Sequence, residues 1–283
     1  MANISQPTVS WDDIHTVDDD SFTQENVCLV TGAASGIGRA VALVAAANGL
    51  TVAATDCDED GLAQTVDRGK KLDTPGNIET IPGDLTVDSD IKDVVTAATA
   101  QGNLKYLANI AGMQHIDTVE DFPMETYDTI HDVMLRAPFY LSKLCIPHFK
   151  ERDDESGCIG NMCSVHGHYV TSDKVAYNIS KFGLRGLTQS IAAEGDGDIR
   201  SFSVSTGYVQ TPLVTNQLEE TAQQRGITVE EVIEDVMLGQ SRASEMMKPV
   251  DVANLFLIGF SDLSNQLIGG NLLYDGGMTV TYE

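Results

Sequence analysis

From Val27 onward, short apolar runs alternate with stretches whose apolar residues recur at helical spacing. VCLVT at 27–31 and TVAAT at 51–55 read as buried strands, with the helical segment IGRAVALVAAANG between them. DEDGLAQTVDRGKKL opens on acidic residues, as a helix N-terminus favours, and leads to a third strand in NIETIPG. A helix near 87–100 and a fourth strand in KYLANIAG follow. METYDTIHDVMLRAPFYLSKLCIPHF reads as one long helix, interrupted or ended near its prolines. GCIGNMCS, SFSVST and GNLLYDGG supply three more strands, with VDVANLFLIGF a helix before the last. Strand–helix alternation of this kind predicts βαβ units on a parallel sheet, and so an α/β fold.

Two stretches stand outside the alternation. Residues 1–24 are polar and acidic, carry Asp18, Asp19 and Asp20 and the single Trp11, and predict a mobile or surface-draped extension that contributes no chemistry. Residues 211–240 are rich in charge, helical in pattern and follow the C-terminal end of the sixth strand. Ligands bind at that end of open α/β sheets. A helical lid over a substrate is therefore expected across about 211–247. The remainder, 25–283, shows no internal repeat and no linker, so a single domain is expected.

Composition narrows the function classes. Seventeen Lys and Arg face 42 Asp and Glu, a formal net charge of −25. No basic surface exists to neutralise phosphates, which argues against a nucleic-acid partner. Self-repulsion of this size is tolerable where salt screens it, so a salt-loving host is expected. No apolar run approaches the roughly 20 residues that cross a bilayer, and the N-terminus lacks a basic segment followed by an apolar one. The five cysteines are scattered and form no C-x-x-C; they read as reduced thiols in a cytoplasmic protein, with no metal expected.

The candidate chemistry lies in two places. Thr31-Gly32-Ala33-Ala34-Ser35-Gly36-Ile37-Gly38 joins the first strand to the first helix. Glycines there let the backbone turn tightly and approach a pyrophosphate seated on the helix N-terminus. Asp56 closes the second strand, where a carboxylate accepts from ribose hydroxyls and repels a 2′-phosphate. Together with the absence of Arg or Lys before Gly36, this points to NAD rather than NADP. Asp84, after the third strand, is placed to touch the adenine or to cap the next helix, and Asn109, Ala111 and Gly112 end the fourth strand with room for a cofactor.

The second place is Ser164 to Lys181. Tyr177 and Lys181 are i,i+4 neighbours, so on a helix they share a face. A nearby ammonium favours the phenolate and turns a tyrosine into a usable acid/base for an alcohol–ketone pair. Ser164, thirteen residues before Tyr177, is placed to hold the same substrate oxygen.

T-G-x-x-x-G-I-G at 31–38, N-x-A-G at 109–112, Ser164, Tyr177-x-x-x-Lys181 and Asp275-Gly276-Gly277 all occur in the order of the short-chain dehydrogenase/reductase family, which the chain resembles over about 25–283. The resemblance implies a seven-stranded doubly wound Rossmann-type sheet, catalysis by Ser164, Tyr177 and Lys181, and a homotetramer. It adds Leu85, Gly207, Val209 and Thr211 to the cofactor contacts. AGMQHIDTVEDFP, SVHGHYVTSDKVAY, GYVQTPLVTNQ and GITVEEVIEDVML are similar to the patterns of D-3-hydroxybutyrate dehydrogenases within that family. By that resemblance Gln114, His166, Lys174 and Gln217 anchor a substrate carboxylate, and the chain moves hydride between NAD and a small 3-hydroxy acid. Another hydroxy acid, a sugar or a polyol stands as the alternative substrate, and an NAD-binding sensor or scaffold as the alternative role. Met134 occupies a position where many family members carry a catalytic asparagine, and Thr206 precedes Gly207 where a proline is usual.

Overall fold

The computed structural model describes residues 7–151 and 156–280, apart from the side chains of Glu220 and Gln224. Seven strands form one parallel sheet: β1 (Asn26–Thr31), β2 (Thr51–Asp56), β3 (Ile78–Pro82), β4 (Asn103–Asn109), β5 (Gly157–Met162), β6 (Ile199–Thr206) and β7 (Asn271–Tyr274). Their order is β3-β2-β1-β4-β5-β6-β7, the doubly wound arrangement with its switch point between β1 and β4. β1, β5 and β6 are buried along their whole length, as a parallel sheet covered on both faces requires.

The helices divide between the two faces. α1 (Gly36–Ala47), α2 (Glu59–Leu72) and α10 (Pro249–Phe260) lie on one side, where Val41, Leu50, Phe202, Phe256 and Phe260 belong to one apolar cluster. α3 (Asp88–Thr99), α5 (Ala137–Lys150) and α6 (Val175–Glu194) lie on the other, around Leu29, Ile91, Leu107, Leu141, Phe149 and Ile159. β6 carries polar residues into this interior, and Arg200, Ser201, Ser203 and Ser205 are hydrogen-bonded there. The Arg200 guanidinium donates to the carbonyls of Gly259, Phe260, Ser261 and Ser264 and so fastens the C-terminal end of α10 to the sheet.

The long helix expected at 124–149 is α4 (Met124–His131) joined to α5 through a π turn, Asp132–Arg136. The irregularity precedes the prolines rather than falling at them. Pro138 lacks the N–H that would donate to the Met134 carbonyl, and Ala137 N–H reaches back to Asp132 instead. Residues 211–240 are likewise broken, into α7 (Pro212–Thr215), α8 (Leu218–Arg225), α9 (Val229–Glu231) and a π turn at Val232–Met237. Gly226, with φ of 66°, ends α8, and Thr228 caps the next turn by accepting from Glu231 N–H. This segment has a small core of its own, in which Leu218, Ala222, Val232 and Met237 pack with Tyr208, Val214 and Ile227.

Residues 7–24, within the stretch expected to be mobile or draped, run over the outside of α1, α2 and α10; residues 1–6 lie outside the described residues. Trp11 Nε1 donates to the Leu72 carbonyl at 2.6 Å. Asn254 of α10 accepts from His15 N–H and donates to the Asp13 carbonyl, while Asp13 pairs with Lys248 at 3.3 Å. Ile14 and Phe22 are buried in the first apolar cluster.

Candidate active site

The C-terminal ends of β1, β2, β3 and β4 surround a cleft of about 390 Å³ that continues to β5 and β6. Gly32 and Gly36 have φ of 68° and 50°, a region closed to most side chains, and a Cβ on Gly38 would run into the Gly32 carbonyl. Gly32, Gly36 and Gly38 therefore present bare backbone to the cleft at the start of α1, beside Ser35 and Ile37. Beneath them, Thr31 Oγ1 accepts from Ile110 N–H and Ala111 N–H at 2.9 and 3.0 Å, which fixes the end of β4 against the loop. Ala111 and Gly112 line the cleft beside Leu85, Val209 and Thr211.

The carboxylates at this end are held in place. Asp56 Oδ2 accepts from Ala34 N–H and Oδ1 from Asp58 N–H, both at 3.1 Å. Asp84 lines the cleft, but its side chain accepts from Thr86 and does not cap α3, whose N-cap is Val87. The Asn109 amide donates to Asn161 Oδ1 at 2.9 Å and Asn161 continues to Thr188, which braces β4 against β5 and α6, while Asn109 Oδ1 is buried without a hydrogen-bond partner. Arg39, the basic residue just past the loop, is spent on the carbonyls of Ala34 and Gly61 and on Thr65 Oγ1. The glycine cradle offers backbone donors suited to a pyrophosphate and Asp56 a carboxylate suited to ribose hydroxyls, the groups that a dinucleotide carries.

Ser164, Tyr177 and Lys181 line the same cleft. Ser164 follows β5 and is the N-cap of a short 3-10 turn, Val165–Gly167, accepting from His166 N–H at 3.2 Å. A hydrogen bond with Ser164 favours the Tyr177 phenolate, but burial is the larger effect and pushes the phenol up to about 12. Burial also pushes Lys181 down to about 8. The expected lowering of the tyrosine by the lysine is thus not produced by the protein's own groups. Lys181 Nζ donates to the Met162 carbonyl at 2.7 Å and stands 5.3 Å from the Tyr177 ring centroid.

The four residues expected to grip a carboxylate are less uniform. The loop carrying Gln114 and the loop carrying Lys174 meet through a parallel bridge between Asp117 and Lys174 and a bond from Asp117 N–H to the Asp173 carbonyl at 2.9 Å. Gln114 Nε2 is buried with no hydrogen-bond partner. Lys174 is partly buried, and burial lowers its pKa, with the Arg225 charge adding to the effect. His166 is pushed down to about 4, by burial first and then by Lys174 and Lys181, so it is neutral at pH 7. Its Nδ1 contacts Ser164 Oγ at 3.2 Å and its Nε2 contacts Thr171 Oγ1 at 3.0 Å. Gln217 is the N-cap residue of α8, and no hydrogen bond among the described residues joins it to the other three.

The structure gives contacts at several further positions, of which the sequence had singled out Met134 and Met278. Met134 sits in the π turn, and its Sδ accepts from Met113 N–H at 3.4 Å, pinning the backbone next to Gln114. Asp173, with φ of 64°, is in the left-handed region immediately before Lys174. The Tyr208 ring lies 5.9 Å from Lys174 Nζ. Met278 Sδ covers Gly207, so that a Cβ there would come within 2.7 Å of it. Tyr208 carried no signal in the sequence, and Asp173 only that of a residue type that tolerates φ above zero.

A family model described as enoyl-(acyl carrier protein) reductase matches residues 32–279. A D-beta-hydroxybutyrate dehydrogenase of Rhizobium meliloti is 34% identical over 253 residues, covering 89% of this chain and 97% of that protein. A 3-oxoacyl-(acyl-carrier-protein) reductase of Thermotoga maritima is 32% identical, covering 90% and 98%. A crystal structure of a short-chain type dehydrogenase/reductase from Mycobacterium marinum superposes with a TM-score of 0.81 at 25% identity, over 93% of this chain and 99% of that one.

Proposed function

The chain belongs to the short-chain dehydrogenase/reductase family of oxidoreductases, which use nicotinamide dinucleotides, and we propose that it interconverts a small 3-hydroxy acid and its 3-keto acid with NAD, (R)-3-hydroxybutyrate and acetoacetate first among them. The observation that carries this reading is Lys174. In a chain of net charge −25 it stands partly buried three residues before Tyr177, in none of the ion pairs among the described residues, on a loop bridged to the one bearing the unpartnered Gln114 amide. A cation and an amide donor so placed suit a carboxylate, and a neutral polyol would not repay the burial of the charge. The D-beta-hydroxybutyrate dehydrogenase relative supports the same substrate class.

Ser164 would hold the substrate hydroxyl, and Tyr177 Oη would take its proton during oxidation or return it during reduction. Lys181, anchored on the Met162 carbonyl, would place its charge beside the tyrosine and the cofactor ribose. Lys174 and Gln114 would orient the carboxylate, with His166 and Gln217 as further donors, so that the reacting carbon sits at near-attack distance. A bound NAD would supply the hydride acceptor, and its positive ring would favour the phenolate that burial disfavours. Asp56 supports NAD over NADP, since a 2′-phosphate would meet a fixed carboxylate while Arg39 is engaged elsewhere.

A homotetramer in a salt-rich cytoplasm belongs to the same proposal. Exposed Phe139 on α5 and Ile179 and Phe182 on α6 support burial against another copy. The lid reading of 211–247 rests on Pro212, Leu213 and Val214 lining the cleft. The test is NADH absorbance with purified protein, NAD or NADP, and (R)- and (S)-3-hydroxybutyrate, longer 3-hydroxy acids and a sugar panel, at low and molar KCl. Rapid turnover selective for the (R)-acid and NAD is expected. Turnover on a sugar alone would reject the carboxylate grip, and failure with every substrate would reject the enzyme.

A further inference from the structure

We propose that Tyr208 is a specificity-determining positioning residue, whose ring face holds the Lys174 ammonium in the orientation that meets the substrate carboxylate and so joins the lid to the carboxylate site. This rests on the role given to Lys174 above. The ammonium stands 5.9 Å from the Tyr208 ring centroid, within the range where an aromatic quadrupole attracts a cation, and no ion pair among the described residues competes for it. A lysine head on a four-carbon stem sweeps a wide volume unless something restrains it.

The backbone beneath both residues is already restrained. Asp173 at φ 64° and the Asp117–Lys174 bridge fix where the lysine stem begins. Tyr208 is fixed in turn: its carbonyl accepts from Met247 N–H at 3.1 Å, and the Met247 carbonyl accepts from Gln210 N–H at 2.9 Å. Its side chain packs in the apolar cluster of α8 and the following π turn, beside Val214, Leu218 and Val232. The ring thus joins that cluster to the Lys174 ammonium. Closure of the lid segment and orientation of the cation become one event.

An isosteric series in the full-length protein tests this, with (R)-3-hydroxybutyrate as the probe. Tyr208→Phe keeps the quadrupole and is expected to leave KM within about twofold, whereas Tyr208→pentafluorophenylalanine, with the quadrupole reversed, should raise KM about fivefold or more. The rise in KM should exceed any fall in kcat, and NADH affinity, read by fluorescence, should stay put. In a Lys174→Met background the fluorinated side chain should have no further effect. KM unmoved by fluorination, an equal increment in the Lys174→Met background, or a matching loss of NADH affinity would each overturn the proposal while leaving the carboxylate site standing. If Lys174→Met alone leaves KM unchanged, the carboxylate reading itself falls and takes this role of Tyr208 with it.

Discussion

The two halves of the cleft are built by different means. On the cofactor side, Gly32 to Gly38 present main chain, and their shape is set by positive φ values and by the start of α1. On the other side, Ser164 reaches the cleft from the end of β5 and contacts His166, while Lys174 lies by the Tyr208 ring, so side chains from the loops after β5 and β6 set the shape. A site made of backbone withstands most side-chain and pH changes, because its donors neither titrate nor rotate. A site made of buried titratable side chains is sensitive to both.

That contrast can be broken most sharply at Tyr177. Tyr177→Phe removes the hydroxyl proposed to exchange the substrate proton, and turnover should fall by about a thousandfold. NADH binding, measured by fluorescence, should remain within about twofold, because the glycine cradle is untouched. Equal losses in both would mean that the two halves are not separable.

Acid should separate them next, acting on the substrate side through His166. Its folded pKa of about 4 lies below the ordinary 6.5, so between these values the folded protein holds fewer protons than the unfolded chain. Stability from this group is complete above pH 6.5 and lost as pH falls toward 4, by up to about 3 kcal/mol. Denaturant unfolding of His166→Gln should show a flatter profile across that window than the parent. Parallel profiles would remove His166 from the list of buried neutral groups.

A smaller effect is expected on the cofactor side. Asp56→Asn should weaken NAD binding by about tenfold and narrow the preference over NADP, without changing KM for the acid. A change in the acid's KM instead would place the carboxylate's influence in the wrong half. The smallest effect belongs to the N-terminal strap. The Asp13–Lys248 pair is solvent-exposed on its lysine side, so Asp13→Asn should cost within about 1 kcal/mol and leave kinetics alone. A shift in KM would show that the strap reaches the lid through Lys248.

The sequence made the cofactor side legible because its signals are local. A glycine that must adopt positive φ, and an aspartate that must end the second strand, leave their mark within one βαβ unit. Tyr177 and Lys181 were legible for the same reason, four residues apart on α6. The brace that Asn109 makes was not legible, because only the register of β4 on β5 sets Asn109 opposite Asn161. The π turn at Met134 was not legible either. Proline marks a break, but where the ladder widens depends on the lost Pro138 donor and on packing against Met113.

The sequence by itself determined the strand–helix alternation, the parallel sheet, the turn that presents bare backbone at the head of α1, and the pairing of Tyr177 with Lys181 on one helix face. These follow from periodicity and backbone sterics, which act over a few residues. The tertiary structure alone decided the charge states of Tyr177, Lys181 and His166, because burial is a property of what packs around a group. It alone decided that Lys174 faces Tyr208 and that the loop bearing Gln114 bridges to Lys174 through Asp117, because those segments meet only after two crossovers have brought the ends of β4, β5 and β6 side by side.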